Sequence, residues 1–293
     1  MRACAPRHAD RYISSPFGYC CCAAARPNLL RLRSPSAEHL LRTLDGKIAL
    51  VTGSSRGIGA AIARSFAQQG ARVVVHGRDR EAISAVRAVI EGDGGTAIAV
   101  AAELTSFAGI EAMRAETERK LGPVDILVAN GGGSVSRPGP LEAMSEEDWR
   151  ASIEGNLTAT FLTIKSFLPG MKQRRSGNII TISSAAARRP HPQSPVGYAC
   201  AKAAVELLTQ DLAVQAGPQG IRANCIAPEI ILTEDNVRRI PDATKATLVE
   251  AHPIRRLGTP QDVAQAALFL ASQESSWITG VILDVAGGAV MVR

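Results

Sequence analysis

Seven short apolar segments recur from residue 47 onward, and each of them except the last is followed by a stretch with helical character. They cover residues 48–52, 72–76, 96–103, 125–130, 178–183, 221–227 and 281–288. Nearly all of their residues are apolar, whereas a strand with one face in water alternates apolar and polar residues. We therefore predict one doubly wound α/β domain over residues 44–293, with a parallel sheet of about seven strands and helices on both faces.

The first 43 residues differ in composition from the rest of the chain. They hold seven arginines against two acidic residues and so carry +5 of the chain's formal net charge of +6. They also hold four of the six cysteines, three of which are adjacent. We predict that residues 1–43 are a disordered leader, which is either a misassigned start or a targeting segment of the mitochondrial type, with a secretory signal less favoured.

The charge and cysteine patterns exclude several functions. Residues 44–293 carry a net charge of only +1 and no basic stripe with interleaved aromatic residues, so we expect no nucleic-acid partner. No run of 18 apolar residues occurs, and we expect no membrane span. Three adjacent thiols fit neither a disulfide framework nor a metal site. We therefore expect no metal and a cytoplasmic location, or a mitochondrial one if the leader is a genuine presequence.

A glycine-rich turn follows the first apolar segment. The residues TGSSRGIG, from Thr52 to Gly59, connect a predicted strand to a predicted helix. Glycines at such a turn let backbone amides approach a pyrophosphate, and the helix N-terminus adds partial positive charge. The turn therefore predicts a dinucleotide site, although its spacing is G-x-x-x-G-x-G instead of the general G-x-G-x-x-G. The residues that we expect to contact the dinucleotide here are Gly53, Ser55, Arg56, Gly57, Ile58 and Gly59.

The residues after the second apolar segment indicate which dinucleotide is bound. NAD-binding proteins of this architecture place a carboxylate about 20 residues beyond the glycines, where it holds the ribose hydroxyls. Here that place is occupied by Gly77, with His76 before it and Arg78 after it. Arg78, helped by Arg56, would hold a 2′-phosphate through bidentate contacts. We therefore favour NADP(H) over NAD(H), the alternative being that both arginines are solvated surface residues.

The residues YACAK, from Tyr198 to Lys202, place a phenol and an ammonium four positions apart. On a helix the two side chains would share one face. A ketone reduction needs a proton donor, and a nearby cation favours the phenolate and so lowers the pKa of a phenol. Such a pair also arises by chance, so it indicates a catalytic acid only together with the rest of the chain. Cys200 would point to the other side of the helix, and we expect it to pack rather than react.

Several motifs in a fixed order give the chain a resemblance to a known family. Besides TGSSRGIG and YACAK, they are LVANGGG at 127–133, EGNLTATF around Asn156, TISS ending at Ser184, the loop 228–233 and the closing segment 255–288. From residue 44 to its end, the chain resembles the short-chain dehydrogenase/reductases, and most closely the bacterial 3-oxoacyl-[acyl-carrier-protein] reductase type. The resemblance implies a Rossmann-like domain that uses a nicotinamide dinucleotide.

The resemblance also assigns roles to single residues. It implies that Tyr198 is the general acid and base, and that Lys202 lowers its pKa and holds the nicotinamide ribose. It implies that Ser184 hydrogen-bonds to the substrate oxygen and that Asn156 holds a water linking Lys202 to solvent. The further residues that it places at the cofactor, together with Tyr198 and Lys202, are Glu103, Leu104, Asn130, Gly132, Pro228, Ile231 and Thr233.

The chain departs from the family pattern at several places. The substitutions are Ala129 and Gly131 in the family's NNAG element, Glu103 where an aspartate faces the adenine, and Glu229 where a glycine follows the sixth strand. Ser184 lies 14 residues before Tyr198, one more than usual, so Ser183 stays a candidate for the same role.

The segment after Pro228 mixes apolar and charged residues, so it allows a small or medium carbonyl substrate and excludes little. We expect an NADP(H)-dependent oxidoreductase that interconverts a ketone and a secondary alcohol, with 3-oxoacyl thioesters as a candidate substrate class. The alternatives are a sugar, polyol, alcohol or steroid dehydrogenase working oxidatively and, more remotely, a non-catalytic nucleotide-sensing or scaffold protein.

The resemblance implies two kinds of macromolecular partner. One is further copies of the chain, in a homotetramer or a homodimer built through the long helices and the C-terminal segment. The other is an acidic acyl carrier protein, for which the candidate basic residues are Lys172, Arg174, Arg175, Arg188 and Arg189. Gln219 stands where a further basic residue is expected, which weakens the carrier-protein assignment.

Overall fold

The computed structural model of the protein describes residues 42–191 and 194–291. The predicted leader at residues 1–43, with its four cysteines, lies outside this part of the chain except for Arg42 and Thr43. Thr43 already contacts the fold, because its hydroxyl donates a hydrogen bond to Gln69 Oε1 over 2.7 Å.

Within the described residues, seven strands form one parallel sheet, as the sequence predicts. The strands are β1 (Ile48–Val51), β2 (Arg72–Gly77), β3 (Thr96–Ala101), β4 (Ile126–Ala129), β5 (Gly177–Ile182), β6 (Ile221–Pro228) and β7 (Ile282–Val285). Their order across the sheet is β3-β2-β1-β4-β5-β6-β7. The order reverses between β1 and β4, and ligands of such open sheets bind outside the carboxyl ends of the strands at this reversal.

Helices connect the strands. They are α1 (Gly57–Gln68), α2 (Arg80–Gly92), α3 (Phe107–Lys120), α4 (Glu146–Ile153), α5 (Ala159–Arg174), α6 (Ala185–Arg188), α7 (Val196–Ala216), α8 (Glu234–Arg239), α9 (Asp242–Ala251) and α10 (Pro260–Ala271). In the part of the chain that the structure describes, none of them is both long and apolar enough to cross a bilayer.

The sheet is covered on both faces, which confirms the predicted doubly wound architecture. One apolar cluster joins one face to α1, α2 and α10 through residues such as Phe66. A second cluster joins the opposite face to α3, α5 and α7 through residues such as Phe167. Because its residues contribute to both clusters, β1 is at most 3% exposed along its whole length. This double burial is the reason why the strands consist of continuous apolar runs.

Side-chain caps fix where several helices begin. Ser145 accepts a hydrogen bond from the Asp148 amide over 3.0 Å at the start of α4. Asp79 accepts two amides at the start of α2, and Thr259 and Asp262 form a reciprocal capping box at α10. Each cap satisfies amides that have no partner within the helix. The Asp79 cap makes α2 begin just beyond the carboxyl end of β2.

Five strands, β1, β3, β4, β5 and β7, end earlier than the sequence predicts, and in β3 and β5 this changes the place of predicted site residues. The pairing of β3 with β2 stops at Ala101, so Glu103 and Leu104 lie in the loop that follows. The pairing of β5 with β6 stops at Ile182, so Ser183 and Ser184 both lie beyond the strand. The shorter strands place more of the predicted site residues on loops at the carboxyl edge of the sheet.

Candidate active site

The carboxyl ends of the central strands bring the predicted site residues to one edge of the sheet. The glycine-rich turn follows β1, Asn130 follows β4, Ser184 follows β5, and Pro228 ends β6. The helix α7 adds Tyr198 and Lys202 to the same edge. The structure therefore brings together residues that are distant in sequence.

The turn after β1 leaves no room for side chains at its glycines. Gly53 and Gly57 have positive φ angles of 63° and 55°, a region that side chains disfavour. A Cβ atom on Gly59 would lie 2.7 Å from Asn130 Nδ2 and 2.8 Å from Ser54 Cα. The backbone therefore forms an open cradle at the N-terminus of α1, with Ser55 half-buried and Arg56 exposed beside it. Such a cradle is a ready anion site.

Asn130 holds this turn against the end of β4. Its side-chain amide donates to the carbonyls of Thr52 and Gly53 over 2.9 and 3.1 Å. In return, the Thr52 hydroxyl accepts the amides of Asn130 and Gly131 over 3.0 Å each. The substitutions at Ala129 and Gly131 leave these contacts intact. Asn130 is thus a structural wall of the cradle.

Arg78 and Glu103, which were predicted separately as cofactor residues, lie next to each other. Arg78 Nη1 is 3.6 Å from Glu103 Oε2, and the two side chains are 82% and 48% exposed. A salt bridge this exposed is weak. Arg78 is therefore accessible to a phosphate, although Glu103 competes for it.

The loop after β6 reaches the glycine turn. A Cβ atom on Gly57 would lie 3.1 Å from Thr233 Cγ2, so Thr233 borders the cradle. Thr233 also caps α8 by accepting the Asn236 amide over 3.3 Å. Ile231 is buried, and its carbonyl accepts the Asn236 side-chain amide over 2.8 Å. These bonds fix the loop that begins at Pro228.

Two other predicted cofactor residues serve packing. Ile58 is half-buried on α1 and packs against the first apolar cluster. Leu104 is half-buried and packs against the second. Sequence reasoning cannot separate this packing from a ligand contact, because both need an apolar residue at the strand end.

Asn156 lies at the centre of a π-helical turn, Glu154–Thr158, that joins α4 to α5. It is fully buried. Its Oδ1 accepts the Gly133 amide over 3.0 Å, and its Nδ2 donates to the carbonyls of Gly133 and Ser152 over 3.0 and 2.9 Å. The neighbouring Gly132 has a φ of 144°, and a Cβ atom there would lie 2.6 Å from Asn156 Oδ1. The amide of Asn156 therefore clamps the loop after β4, and its relay-water role stays a prediction.

Tyr198 and Lys202 lie one turn apart on α7, as the spacing predicts. Lys202 Nζ is 5.7 Å from the centre of the Tyr198 ring and donates to the Ile182 carbonyl over 2.9 Å. Burial lowers the pKa of Lys202 to about 8. Burial also raises the pKa of Tyr198, while a hydrogen bond with Ser184 works against that rise. The pKa of Tyr198 is thus raised in this structure, and the group that opposes the rise is Ser184 instead of Lys202, from which we expected the lowering.

The structure separates the two candidate serines. The Ser183 hydroxyl is 2% exposed and donates to Glu206 Oε1 over 2.9 Å and to the Lys202 carbonyl over 3.1 Å. The Ser184 hydroxyl is half-buried and hydrogen-bonds with Tyr198. Ser184 is therefore the serine placed beside the phenol, whereas Ser183 ties the end of β5 to α7.

Arg188 does not form the basic surface that the sequence suggests. It is 18% exposed and lies between two carboxylates, with Nη1 3.0 Å from Glu206 Oε2 and Nε 3.0 Å from Asp284 Oδ1. These partners raise its pKa. Glu206 and Asp284 lie 18 and 96 positions after Arg188 in the chain, so no local pattern could have predicted this network.

The expectation that Cys200 packs is also wrong, because Cys200 is exposed.

Comparison with known proteins shows which proteins this chain resembles. The family model described as enoyl-(acyl carrier protein) reductase matches residues 53–290. The 3-oxoacyl-[acyl-carrier-protein] reductase of Chlamydia pneumoniae is 39% identical over 84% of this chain and 98% of its own length. The chain belongs to the short-chain dehydrogenase/reductase family. It is an oxidoreductase, as its relatives are.

Solved structures resemble this short-chain dehydrogenase/reductase over most of its length. A 7α-hydroxysteroid dehydrogenase complexed with NADH and 7-oxo glycochenodeoxycholic acid is 40% identical, with a TM-score of 0.81, over 86% of this chain and 97% of that one. A gluconate 5-dehydrogenase from Burkholderia cenocepacia in complex with NADP and tartrate is 34% identical, with a TM-score of 0.79, over 85% and 97%. The cofactor of this oxidoreductase is accordingly a nicotinamide dinucleotide.

The residues at the glycine turn fit that cofactor. A Cβ atom at Gly59 would collide with the turn itself and with Asn130, so this glycine lets the N-terminus of α1 pack directly on the turn, where its free amides can bind a pyrophosphate. The exposed guanidinium groups of Arg56 and Arg78 supply positive charge at its rim.

We expect Gly59→Ala to weaken dinucleotide binding about tenfold or more, equivalent to about 1.4 kcal/mol. The added methyl group would collide with the Asn130 side chain and the Ser54 backbone, and the turn would have to open. Fluorescence titration with NADPH and NADH measures the Kd. The matched control is Gly92→Ala at the end of α2, where the added methyl group meets nothing within 4 Å. An unchanged Kd in Gly59→Ala would contradict a cofactor site at this turn.

Proposed function

We propose that this oxidoreductase uses NADP(H) to reduce ketones to secondary alcohols, with 3-oxoacyl thioesters as its favoured substrate class. The observation that carries the proposal is the grouping of Ser184, Tyr198 and Lys202 at the end of β5, beside the glycine-rich turn. A nicotinamide dinucleotide supplies or accepts a hydride when it is bound. The protein must therefore hold the carbonyl carbon near the cofactor and provide the proton.

Tyr198 donates that proton in the proposed reaction. Burial raises the pKa of its phenol, so the group is protonated at neutral pH and can donate as negative charge develops on the carbonyl oxygen. The Ser184 hydroxyl, beside the phenol, stabilises the same oxygen. In alcohol oxidation Tyr198 must act as a base, which its raised pKa opposes at neutral pH. The electrostatics of the site thus favour reduction.

Lys202 and Asn156 support Tyr198 in this proposal. The Lys202 ammonium, with a pKa lowered to about 8, is still mostly charged at neutral pH and holds the nicotinamide ribose. Because the Asn156 amide is used by Gly133 and Ser152, the relay water would bind to a backbone carbonyl of the π-helical turn instead of the side chain.

Two arginines support NADP(H) over NAD(H). Arg78 and Arg56 are exposed beside the cradle, and a guanidinium group suits a 2′-phosphate. The residue that would bind a bare ribose, at position 77, is a glycine without a carboxylate. Glu103 is the only carboxylate paired with Arg78 in the described part of the chain. It competes with the 2′-phosphate for Arg78 and so reduces the preference for NADP(H).

One observation supports thioesters as the substrate class, and one opposes it. The resemblance to the chlamydial 3-oxoacyl-[acyl-carrier-protein] reductase supports thioesters, but the Arg188 network removes one of the basic residues that a carrier protein would use. The remaining basic candidates are Lys172, Arg174 and Arg175, at the end of α5, and Arg189, whose Nη2 is 3.7 Å from Glu229 Oε1. The second candidate function is oxidation of a steroid or sugar acid, which the hydroxysteroid and gluconate dehydrogenase neighbours support.

The cytoplasmic location, like its mitochondrial alternative, stays a prediction. Both depend on residues 1–43, which lie almost wholly outside the described residues.

A substrate panel tests the proposed function. We expect acetoacetyl thioesters to be reduced with NADPH, and Tyr198→Phe to lower kcat by about 10²–10⁴ because the proton donor is removed. The variant should still bind NADPH, with a Kd raised by no more than about tenfold for the loss of one hydrogen bond. Turnover only of hydroxysteroids, gluconate or other polyols with NADP would favour the second candidate. Dinucleotide binding without turnover across the panel would indicate a non-catalytic protein.

Charge changes at the rim test the cofactor preference. We expect Arg78→Asp to raise the KM for NADPH about tenfold or more, because a charge-assisted contact to the 2′-phosphate is lost. Glu103→Gln should lower the same KM by up to about fivefold, since it frees Arg78 from a weak salt bridge. Arg64→Asp, an exposed arginine on α1, controls for net charge. An equal effect of Arg64→Asp on NADPH, or no effect of Arg78→Asp, would contradict the assignment.

Exposed apolar side chains support the proposed homotetramer, or a homodimer. Leu207 and Val214 on α7 are 61% and 78% exposed, and Phe161 on α5 is 45% exposed. Leu207 and Val214 are seven residues apart and so share one face of α7, and exposed apolar side chains grouped on one face indicate an interface. The two long helices therefore offer a self-complementary contact of the kind that symmetric oligomers use.

We expect Leu207→Glu to break this assembly into smaller species, because the interface would bury an unpaired carboxylate. Size-exclusion chromatography with light scattering gives the mass of the wild-type and variant proteins. Val89→Glu, which changes a 41% exposed valine on α2, should leave the mass unchanged. A monomeric wild-type protein would show that α5 and α7 do not form an interface.

A further inference from the structure

His76, for which the sequence analysis predicts no role, joins the end of β2 to the glycine-rich turn. The His76 amide donates to Ser54 Oγ over 2.9 Å, and the His76 carbonyl accepts the Ser54 amide over 2.8 Å. Its side chain continues the contact, because Nδ1 lies 3.1 Å from the amide nitrogen of Gly53. On the other side, Nε2 lies 3.2 Å from the Ala102 carbonyl oxygen, just after β3.

These neighbours determine the protonation of the ring. The Gly53 amide can only donate, so Nδ1 must carry a lone pair, and the Ala102 carbonyl can only accept, so Nε2 must carry the proton. A charged imidazolium would have a proton on both nitrogens and would face the Gly53 N–H with another N–H. Burial keeps the ring neutral, since it lowers the pKa of His76 to about 4 against the opposing effect of Glu103.

We propose that His76 is a positioning residue for the dinucleotide, because its imidazole sets both the orientation of the Gly53 peptide and the spacing between the glycine turn and the loop after β3. The peptide between Thr52 and Gly53 is held at both ends, its N–H by His76 and its carbonyl, that of Thr52, by Asn130. The loop after β3 carries Glu103, the partner of Arg78. One ring thus connects the phosphate cradle to the place where a 2′-phosphate would bind.

This inference rests on the proposed position of the dinucleotide at the turn, and two near-isosteric substitutions test it. In His76→Asn the side-chain oxygen takes the place of Nδ1, so the acceptor for Gly53 is kept. In His76→Gln the side-chain amide takes the place of Nε2, so the donor to Ala102 is kept and the Gly53 amide loses its partner. We expect a dinucleotide Kd within about threefold of wild type for His76→Asn and about tenfold weaker for His76→Gln.

The measurements separate positioning from general stability. Fluorescence titration with NADPH gives the Kd, and hydrogen exchange followed by mass spectrometry should show faster exchange over residues 50–60 in His76→Gln than in His76→Asn. The control is His252→Gln, a change at another buried histidine, whose Nδ1 lies 2.6 Å from the Leu248 carbonyl oxygen. It should lower the thermal midpoint while leaving the NADPH Kd unchanged.

Each outcome either supports or overturns the proposed role of His76. Weaker binding in His76→Gln with rescue in His76→Asn supports the proposal, whereas equal Kd values in the two variants overturn it, even if both lose thermal stability. A wild-type protein that binds neither dinucleotide overturns the proposed function instead. If a variant fails to fold, long-range ¹H–¹⁵N correlation spectra of the wild-type protein show which ring nitrogen of His76 carries the proton. A neutral His76 ring protonated at Nε2 supports the proposal, and a ring protonated at Nδ1 overturns it.

Discussion

Reciprocal hydrogen bonds between Thr52 and Asn130 hold the site together, and the rest of the arrangement depends on them. They join the ends of β1 and β4, the two strands between which the strand order reverses. The connections that leave these two strands run to opposite sides of the sheet, so their ends would otherwise separate. Because these bonds keep the two strand ends together, Asn130 holds the glycine turn in a fixed position. The loops after β5 and β6 complete the site around the turn.

Burial acts in opposite directions on the two titratable groups of α7. It disfavours the charged form of each, and so it lowers the pKa of the Lys202 ammonium and raises that of the Tyr198 phenol. At neutral pH the pair therefore consists of a neutral phenol and a cation. This is the protonation state that the proposed reduction needs before the hydride arrives.

The sequence predicts the fold well and the site in part, for identifiable physical reasons. The strands could be located because burial between two layers of helices makes nearly all of their residues apolar. The glycine turn and the YACAK pair are local patterns. The network of Arg188, Glu206 and Asp284 was missed, because its members meet only after α6, α7 and β7 have packed.

The sequence also could not indicate which way burial would shift a pKa. Four-residue spacing correctly places Tyr198 and Lys202 on one face of α7, but it carries no information on the solvent that surrounds them. In the same way, His76 lies in an apolar strand where its ring would be taken for packing. Its role depends on the distance to Gly53, which is 23 residues away in the chain.

The π-helical turn between α4 and α5 has a geometric consequence for the long rod that these helices form. One extra residue in a turn rotates everything beyond it by roughly 100° about the helix axis. The rod can therefore present one side to α7 along α4 and a different side to α3 and the sheet along α5. Deleting a single residue between Glu154 and Thr158 would restore a regular α-helix and turn the apolar stripe of one half away from its neighbours.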